Sequence, residues 1–197
     1  MKPQKTGELY DNIALWWQEQ HRESSYGVEQ INRAISYLKH GKKVLDVGCG
    51  SGGRIVSLLE HNNLAITGID VSKEMILLAS QTHPKHKFLH QDICTFELKE
   101  NFDMVVAWDS IFHLPFKMQK TVLTKLCKHL SQDGILVYSL GDAAGEHTDT
   151  WKGEQFYYSS LGINDNLNLL INNGLTILHM ELDQYPEKHA YIIATKR

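Results

Sequence analysis

The chain has little that would tie it to a membrane, an oxidising compartment or a nucleic acid. Its three cysteines, Cys49, Cys94 and Cys127, are odd in number and far apart, with no C-x-x-C pair. That spacing argues against a disulfide framework and against a zinc site. No segment is apolar for long enough to span a bilayer, and Met1-Lys2-Pro3-Gln4-Lys5-Thr6-Gly7-Glu8 lacks the apolar core of a signal peptide. A cytoplasmic location is the resulting expectation. Basic runs are absent and the formal net charge is -3, so neither a nucleic acid nor a membrane is expected as partner. His83, His86 and His90 are spaced poorly for one site, and no metal is expected. Repeats and low-complexity tracts are also missing. The 197 residues, 42% hydrophobic and 22% charged, suit one domain with a sizeable core. A small molecule is the default partner, and the chain is expected as a monomer or homodimer.

The informative stretch is Val44-Leu45-Asp46-Val47-Gly48-Cys49-Gly50-Ser51-Gly52-Gly53, followed by the apolar pattern Arg54-Ile55-Val56-Ser57-Leu58-Leu59. It reads as strand, tight loop and helix. Glycines allow positive φ and remove the Cβ atoms that keep a ligand off the backbone, and the helix start offers unpaired N–H groups. Such a turn at the carboxyl end of a first strand is where nucleotide-like ligands bind in open α/β sheets. Gly48, Gly50 and Gly53 also satisfy the G-x-G-x-x-G pattern of dinucleotide sites. Asp46 separates the two readings, because a carboxylate there repels a pyrophosphate and attracts a cationic amine. That favours a ligand with an ammonium group, such as S-adenosylmethionine.

Val44 to Gly52 resembles the first motif of the class I S-adenosylmethionine-dependent methyltransferases, an acidic residue followed by x-G-x-G-x-G. Asp70, closing Leu64-Ala65-Ile66-Thr67-Gly68-Ile69-Asp70, matches the acidic position that binds the ribose hydroxyls. Asp92-Ile93 resembles the adenine-binding pair, and Phe102 to Asp109 the strand that closes the site. The resemblance covers about residues 43 to 140. It implies an α/β, Rossmann-like, doubly wound seven-stranded sheet, mostly parallel, with a C-terminal antiparallel hairpin and the order 3-2-1-4-5-7-6. It also implies S-adenosylmethionine as cofactor, held at the methionine end by Asp46, Gly48, Cys49, Gly50 and Gly52, at the ribose by Asp70 and Val71, and at the adenine by Met75, Asp92 and Ile93. Trp108 contributes a backbone carbonyl in this reading, and Tyr10 and Trp17 belong to an N-terminal lid.

Taken in order, residues 1–40 read as a helical lid with a short helix from Tyr10 to about Gln20. Both tryptophans there pack the helix onto the domain in one reading, and Tyr10 or Trp17 covers the cofactor in the other, the two being compatible. A second helix follows from Val28, with Gly41 as a helix C-terminus. The cofactor-binding core is 41–140. Ser72 is an N-cap candidate for a helix of Met75 to Ala79, Met118 to Leu130 carries an apolar face, and Ile135 to Leu140 is strand five. Residues 141–163 form the least regular stretch, aromatic and glycine-containing, expected as the acceptor-binding segment around a short helix. Residues 164–197 give a helix capped by Asn164 or Asp165 and ended by Gly174, then two strands joined too tightly to be parallel. A general base is useful when the acceptor is a protonated oxygen or nitrogen. The candidates are His113, then Asp109 and His147, with a structural role for His113 left equally open. The function implied is methyl transfer to a small molecule. A nicotinamide-dependent oxidoreductase, another transferase on the same fold and a non-enzymatic cofactor-binding module are the alternatives.

Overall fold

Strand segments apolar at nearly every position can be buried only between two layers of helices, and the computed structural model, which describes Met1–Arg197, shows that arrangement. The main sheet contains β1 (Lys43–Val47), β2 (Ala65–Asp70), β3 (Lys87–His90), β4 (Phe102–Ala107), β5 (Leu130–Gly141), β8 (Leu175–Leu182) and β9 (His189–Lys196). Their order is β3-β2-β1-β4-β5-β9-β8. The first five are parallel and β9 runs antiparallel to both β5 and β8. Counted along the main sheet alone, this is the expected 3-2-1-4-5-7-6. Alternation sends Leu45, Val105 and Leu136 to one face with α6 (Phe116–Lys128) and α7 (Gly162–Asn172). It sends Val44, Val106 and Val137 to the other with α3 (Val28–Ser36) and α4 (Arg54–His61). All six strand residues are 0% exposed, so both faces of the sheet are dry.

Three elements depart from the sequence expectation. The chain begins with two helices rather than one, α1 (Pro3–Asp11) and α2 (Ala14–Gln20), and Tyr10 lies in the first. Pro3 starts α1, where a missing N–H costs nothing. The helix has almost no apolar stripe, because it docks through Thr6, Gly7 and Leu9 onto α5 (Lys73–Thr82) and the turn before it. Residues 141–163 are regular, forming an antiparallel hairpin of β6 (Ala144–Trp151) and β7 (Glu154–Leu161) in a sheet of its own. Lys152 and Gly153 turn the hairpin with positive φ. No short helix lies inside it. α7 starts at Gly162 with Leu161 as N-cap and no side-chain cap, so Asn164 and Asp165 lie inside its first turn. Gly162 has φ +73, and a Cβ there would stand 2.7 Å from Ala144 N.

The remaining expectations shift by a few residues. α3 ends at Ser36 rather than at Gly41, which instead leads into β1 at φ +83. α6 begins and ends two residues earlier than its apolar pattern suggests. Ser72 caps α5 by accepting from Met75 N at 3.1 Å.

Candidate functional site

The carboxyl ends of β1, β2 and β4 and the turn after β3 surround one cavity of about 350 Å³, within the range of small-molecule sites. Asp46, Gly48, Cys49, Gly50, Asp70, Val71, Met75, Asp92, Ile93 and Trp108 all line it, and Tyr10 and Trp17 close it from the N-terminal helices. His113 and Asp109 stand on its wall. Hence most of the residues the motifs single out converge on one space.

Gly48, Gly50 and Gly52 have φ of +74, +55 and +71, the conformation in which the loop turns from β1 into α4. A Cβ at Gly50 or Gly53 would meet nothing within 4 Å and would project into open space. Gly52 plays a different part and does not line the cavity. It lies beside α5, where a Cβ would be 3.1 Å from Ala79 and 2.9 Å from the His83 ring. His83 holds the loop from behind, with Nδ1 2.7 Å from Glu60 Oε2 and Nε2 donating to Gly52 O at 2.6 Å.

The acids differ in environment. Asp46 is 3% exposed, and burial, with the charge of Asp70 next, raises its pKa to about 7. Asp70 is raised by burial, against which backbone N–H groups work: its oxygens accept from Gly50 N at 2.9 Å and Ser72 N at 2.8 Å. Asp92 accepts from Cys94 N at 2.8 Å and from Gln4 Nε2 at 3.1 Å, so it shapes its turn and ties it to α1 while lining the cavity. Asp11, also on α1, accepts from Ser72 Oγ at 2.6 Å and Glu74 N at 3.0 Å. Helix α1 thus bonds to the turns that carry two of the three acids.

His113 follows β4 in a single 3-10 turn, Ile111–His113. Its Nδ1 lies 2.9 Å from Tyr157 O, an acceptor, so Nδ1 carries the proton. Nε2 therefore accepts from Tyr10 O–H at 3.0 Å. Burial lowers the His113 pKa to about 4 and raises that of Tyr10. At neutral pH the pair is an uncharged phenol and an uncharged imidazole. Phe156 of β7 packs edge-on against Tyr10 with ring centroids 5.3 Å apart.

Asp109 is held in a left-handed conformation, φ +50. Its N–H donates to Ser139 Oγ at 2.7 Å, and its Oδ1 accepts from Ser139 Oγ at 3.0 Å and from His189 Nε2 at 3.0 Å. His189 Nδ1 in turn bonds Asp183. Burial works against a charge on His189, but the bonds to Asp109 and Asp183 outweigh it and its pKa is raised. No motif points to His189, Asp183 or Tyr26, which strand pairing and an N-terminal turn bring together. Arg54 also lines the cavity, and its only sequence signal is its place directly after the glycines.

His147 is a correction. It lies exposed on β6, stacked on the Tyr158 ring at 5.3 Å, and is not brought to the cavity. No residue of 141–163 lines the cavity itself. The hairpin instead backs the lining, through Tyr157 O on His113, Phe156 on Tyr10, and Trp151 edge-on to Trp17 at 5.7 Å.

Comparison with known proteins agrees with this geometry. Residues 44–134 match the family described as methyltransferase domain. A phosphoethanolamine N-methyltransferase of Plasmodium falciparum is 30% identical over 137 residues, which are 66% of this chain and 51% of that protein. A carboxy-S-adenosyl-L-methionine synthase of a Psychrobacter species is 30% identical over 174 residues, 78% of this chain and 62% of that protein. The chain thus spans between half and two thirds of the length of these curated relatives. In fold it is similar to the magnesium protoporphyrin IX methyltransferase of Synechocystis, solved with bound S-adenosylmethionine, with TM-score 0.71, 16% identity, and coverage of 100% of this chain and 98% of that one.

Proposed function

We propose that the chain is a class I S-adenosylmethionine-dependent methyltransferase, a reading supported by the methyltransferase-domain match over residues 44–134, and that it transfers a methyl group from S-adenosylmethionine to a small-molecule acceptor by in-line displacement. One observation carries the reading. The acids at the ends of three successive strands, Asp46, Asp70 and Asp92, surround a glycine loop open to the same cavity that the Tyr10–His113 pair faces. The residues fit the cofactor, because a Cβ at Gly50 or Gly53 would project into open space and Asp70 presents a carboxylate beside Gly50 N. Asp46 would face the ammonium, Asp70 the ribose hydroxyls, and Asp92 with Ile93 and Met75 the adenine.

When bound, the cofactor supplies an activated methyl group on a neutral leaving group. The protein's task is then to align the acceptor and take up its proton. In the resting geometry His113 Nε2 is occupied by the Tyr10 hydroxyl. Tyr10 is therefore the relay, giving its proton to His113 Nε2 as it takes one from an oxygen or nitrogen acceptor. Asp109, with Oδ1 fixed by Ser139 and His189, lends a carboxylate to the same wall and favours a cationic or hydrogen-bond-donating acceptor. Residues 1–40 act as the lid, and the hairpin of 141–163 shapes acceptor access from behind the cavity lining. We place the reaction in the cytoplasm as part of the same reading, which the three unpaired cysteines support.

The test is calorimetric titration with S-adenosylmethionine, S-adenosylhomocysteine and oxidised nicotinamide dinucleotide, followed by transfer of a labelled methyl group to a panel of amines and hydroxyl compounds. Binding of the two adenosyl compounds alone, with labelled product, is expected. Binding of the nicotinamide alone would overturn the reading.

A further inference from the structure

Lys125 lies on the face of α6 that meets the turn after β3. The side chain is half-buried, and its ammonium donates to three main-chain carbonyls of that turn: Ile93 O at 2.6 Å, Phe96 O at 3.0 Å and Cys94 O at 3.4 Å. An ammonium has three donors, so each finds an acceptor. The consequence passes through single peptide groups, because in a planar trans peptide the C=O and N–H point in opposite directions. Ile93 O is held towards Lys125, so the N–H of Cys94 in the same peptide faces back and donates to Asp92 Oδ1 at 2.8 Å. Asp92 O, in the preceding peptide, accepts from Thr95 N at 3.0 Å and Phe96 N at 2.7 Å. That leaves the Ile93 N–H directed away from the turn, with no acceptor in the protein, on a residue that lines the cavity.

Asp92 and Ile93 therefore place a carboxylate acceptor beside an unpaired donor at one edge of the cavity. Adenine offers the complement, an exocyclic amine beside an acceptor ring nitrogen, whereas hypoxanthine offers the reverse order. We infer that Lys125 is a positioning residue of the donor site, whose ammonium sets the peptide planes that hold Asp92 and Ile93 in the order that reads adenine. Lys125 does not line the cavity itself. Removing its charge leaves three carbonyls without their partner, and the turn answers by rotating those peptides. Such a rotation carries Cys94 N–H away from Asp92. The other oxygen of Asp92 keeps its bond from Gln4, so the loss falls on the direction of the carboxylate. This assignment rests on the methyl-donor reading above.

The experiment titrates the protein with S-adenosylhomocysteine and with S-inosylhomocysteine, in which a carbonyl oxygen replaces the exocyclic amine. Wild type should prefer the adenosyl compound by about 10- to 100-fold, the range of one hydrogen bond to a charged group. Lys125→Met and Lys125→Gln should reduce that preference to about threefold or less, through weaker binding of the adenosyl compound. Lys125→Arg, which keeps the charge, should restore most of it, and Lys128→Met, exposed on the same helix, should change neither affinity. Added to Asp92→Asn, Lys125→Met should alter the ratio no further, since both act on one contact. Equal weakening of both ligands would mean a structural role and overturn the assignment, as would an unchanged ratio. If the methionine variant does not fold, the glutamine variant decides. A wild type that binds the adenosyl compound without preference overturns the role of Lys125 alone; one that binds neither compound overturns the methyl-donor reading and this assignment with it.

Discussion

Gly7→Ala tests whether α1 docks as the structure shows. Away from any neighbour, alanine in a helix is preferred over glycine by about 1 kcal/mol, so a free α1 would be stabilised. In the docked helix the new Cβ would stand 2.2 Å from Val71 O and 2.8 Å from Val71 C. Both are backbone atoms, in the turn directly after Asp70, and no side-chain rotation relieves the overlap. Restoring an ordinary contact requires α1 or that turn to move by about 1 Å, and overpacking of this kind costs about 1–3 kcal/mol. The strain exceeds the helical gain, so the melting temperature should fall by a few degrees, at about 2–4 °C per kcal/mol for a chain of this size. Because α1 also carries Tyr10 and Asp11, affinity for S-adenosylhomocysteine should drop by about 5- to 30-fold, equivalent to one or two kcal/mol. Differential scanning fluorimetry and calorimetric titration read the two effects, with Glu8→Ala as the exposed control on the same helix. A raised melting temperature with wild-type affinity would refute the docking and with it the covering role of the lid.

Three further outcomes follow from the buried acids and the histidine. Asp70→Ala should weaken S-adenosylhomocysteine binding by about 1.5–3 kcal/mol, the value of a charged hydrogen-bond acceptor; unchanged affinity would remove Asp70 from the ribose site. Asp46 has a folded pKa of about 7, above its unfolded value, so the native state binds the extra proton and stability declines as pH rises from about 4 through 7. Asp46→Asn, neutral throughout, should make the ligand-free protein more stable at pH 8, on the order of 3 kcal/mol, while weakening cofactor binding; parallel urea midpoints for both proteins across pH would count against this. His113 is shifted the other way, to about 4, so its contribution is complete above about 6.5 and is lost as pH falls towards 4, by up to about 3 kcal/mol. His113→Gln should flatten that acid limb and reduce turnover with cofactor affinity nearly intact, whereas a loss of both would assign the residue to structure alone.

The cofactor half of the site is legible in sequence because its elements are local. Asp46 and the glycines sit in one unbroken stretch, and Asp70 and Asp92 each close a short apolar run, so periodicity locates them without tertiary information. The lid and the hairpin are not local in this sense. α1 has no apolar stripe because it docks through small residues against a backbone turn, and Gly7 has meaning only once Val71 is beside it. β6 and β7 alternate poorly, since seven of eight residues of β6 face solvent and only β7 is packed, which hides the period of a strand. The Asp109–His189–Asp183 chain joins residues up to 80 positions apart, brought together by the antiparallel pairing of β5 with β9.

The hairpin leaves the main sheet after Gly141 and rejoins the chain at Gly162, and the N–H of Ile163 bonds back to Asp142 O at 3.2 Å. Its two ends are therefore pinned together by this bond as well as by the pairing of Ala144 with Leu161 at the base of its own strands. The exposed tip at Lys152 and Gly153 can change while β5 and α7 stay in place, whereas β7 is held by the burial of Phe156, Ser159 and Leu161. Exchange of residues 143–161 between homologous domains is then a direct test of whether the hairpin carries the acceptor role proposed for it.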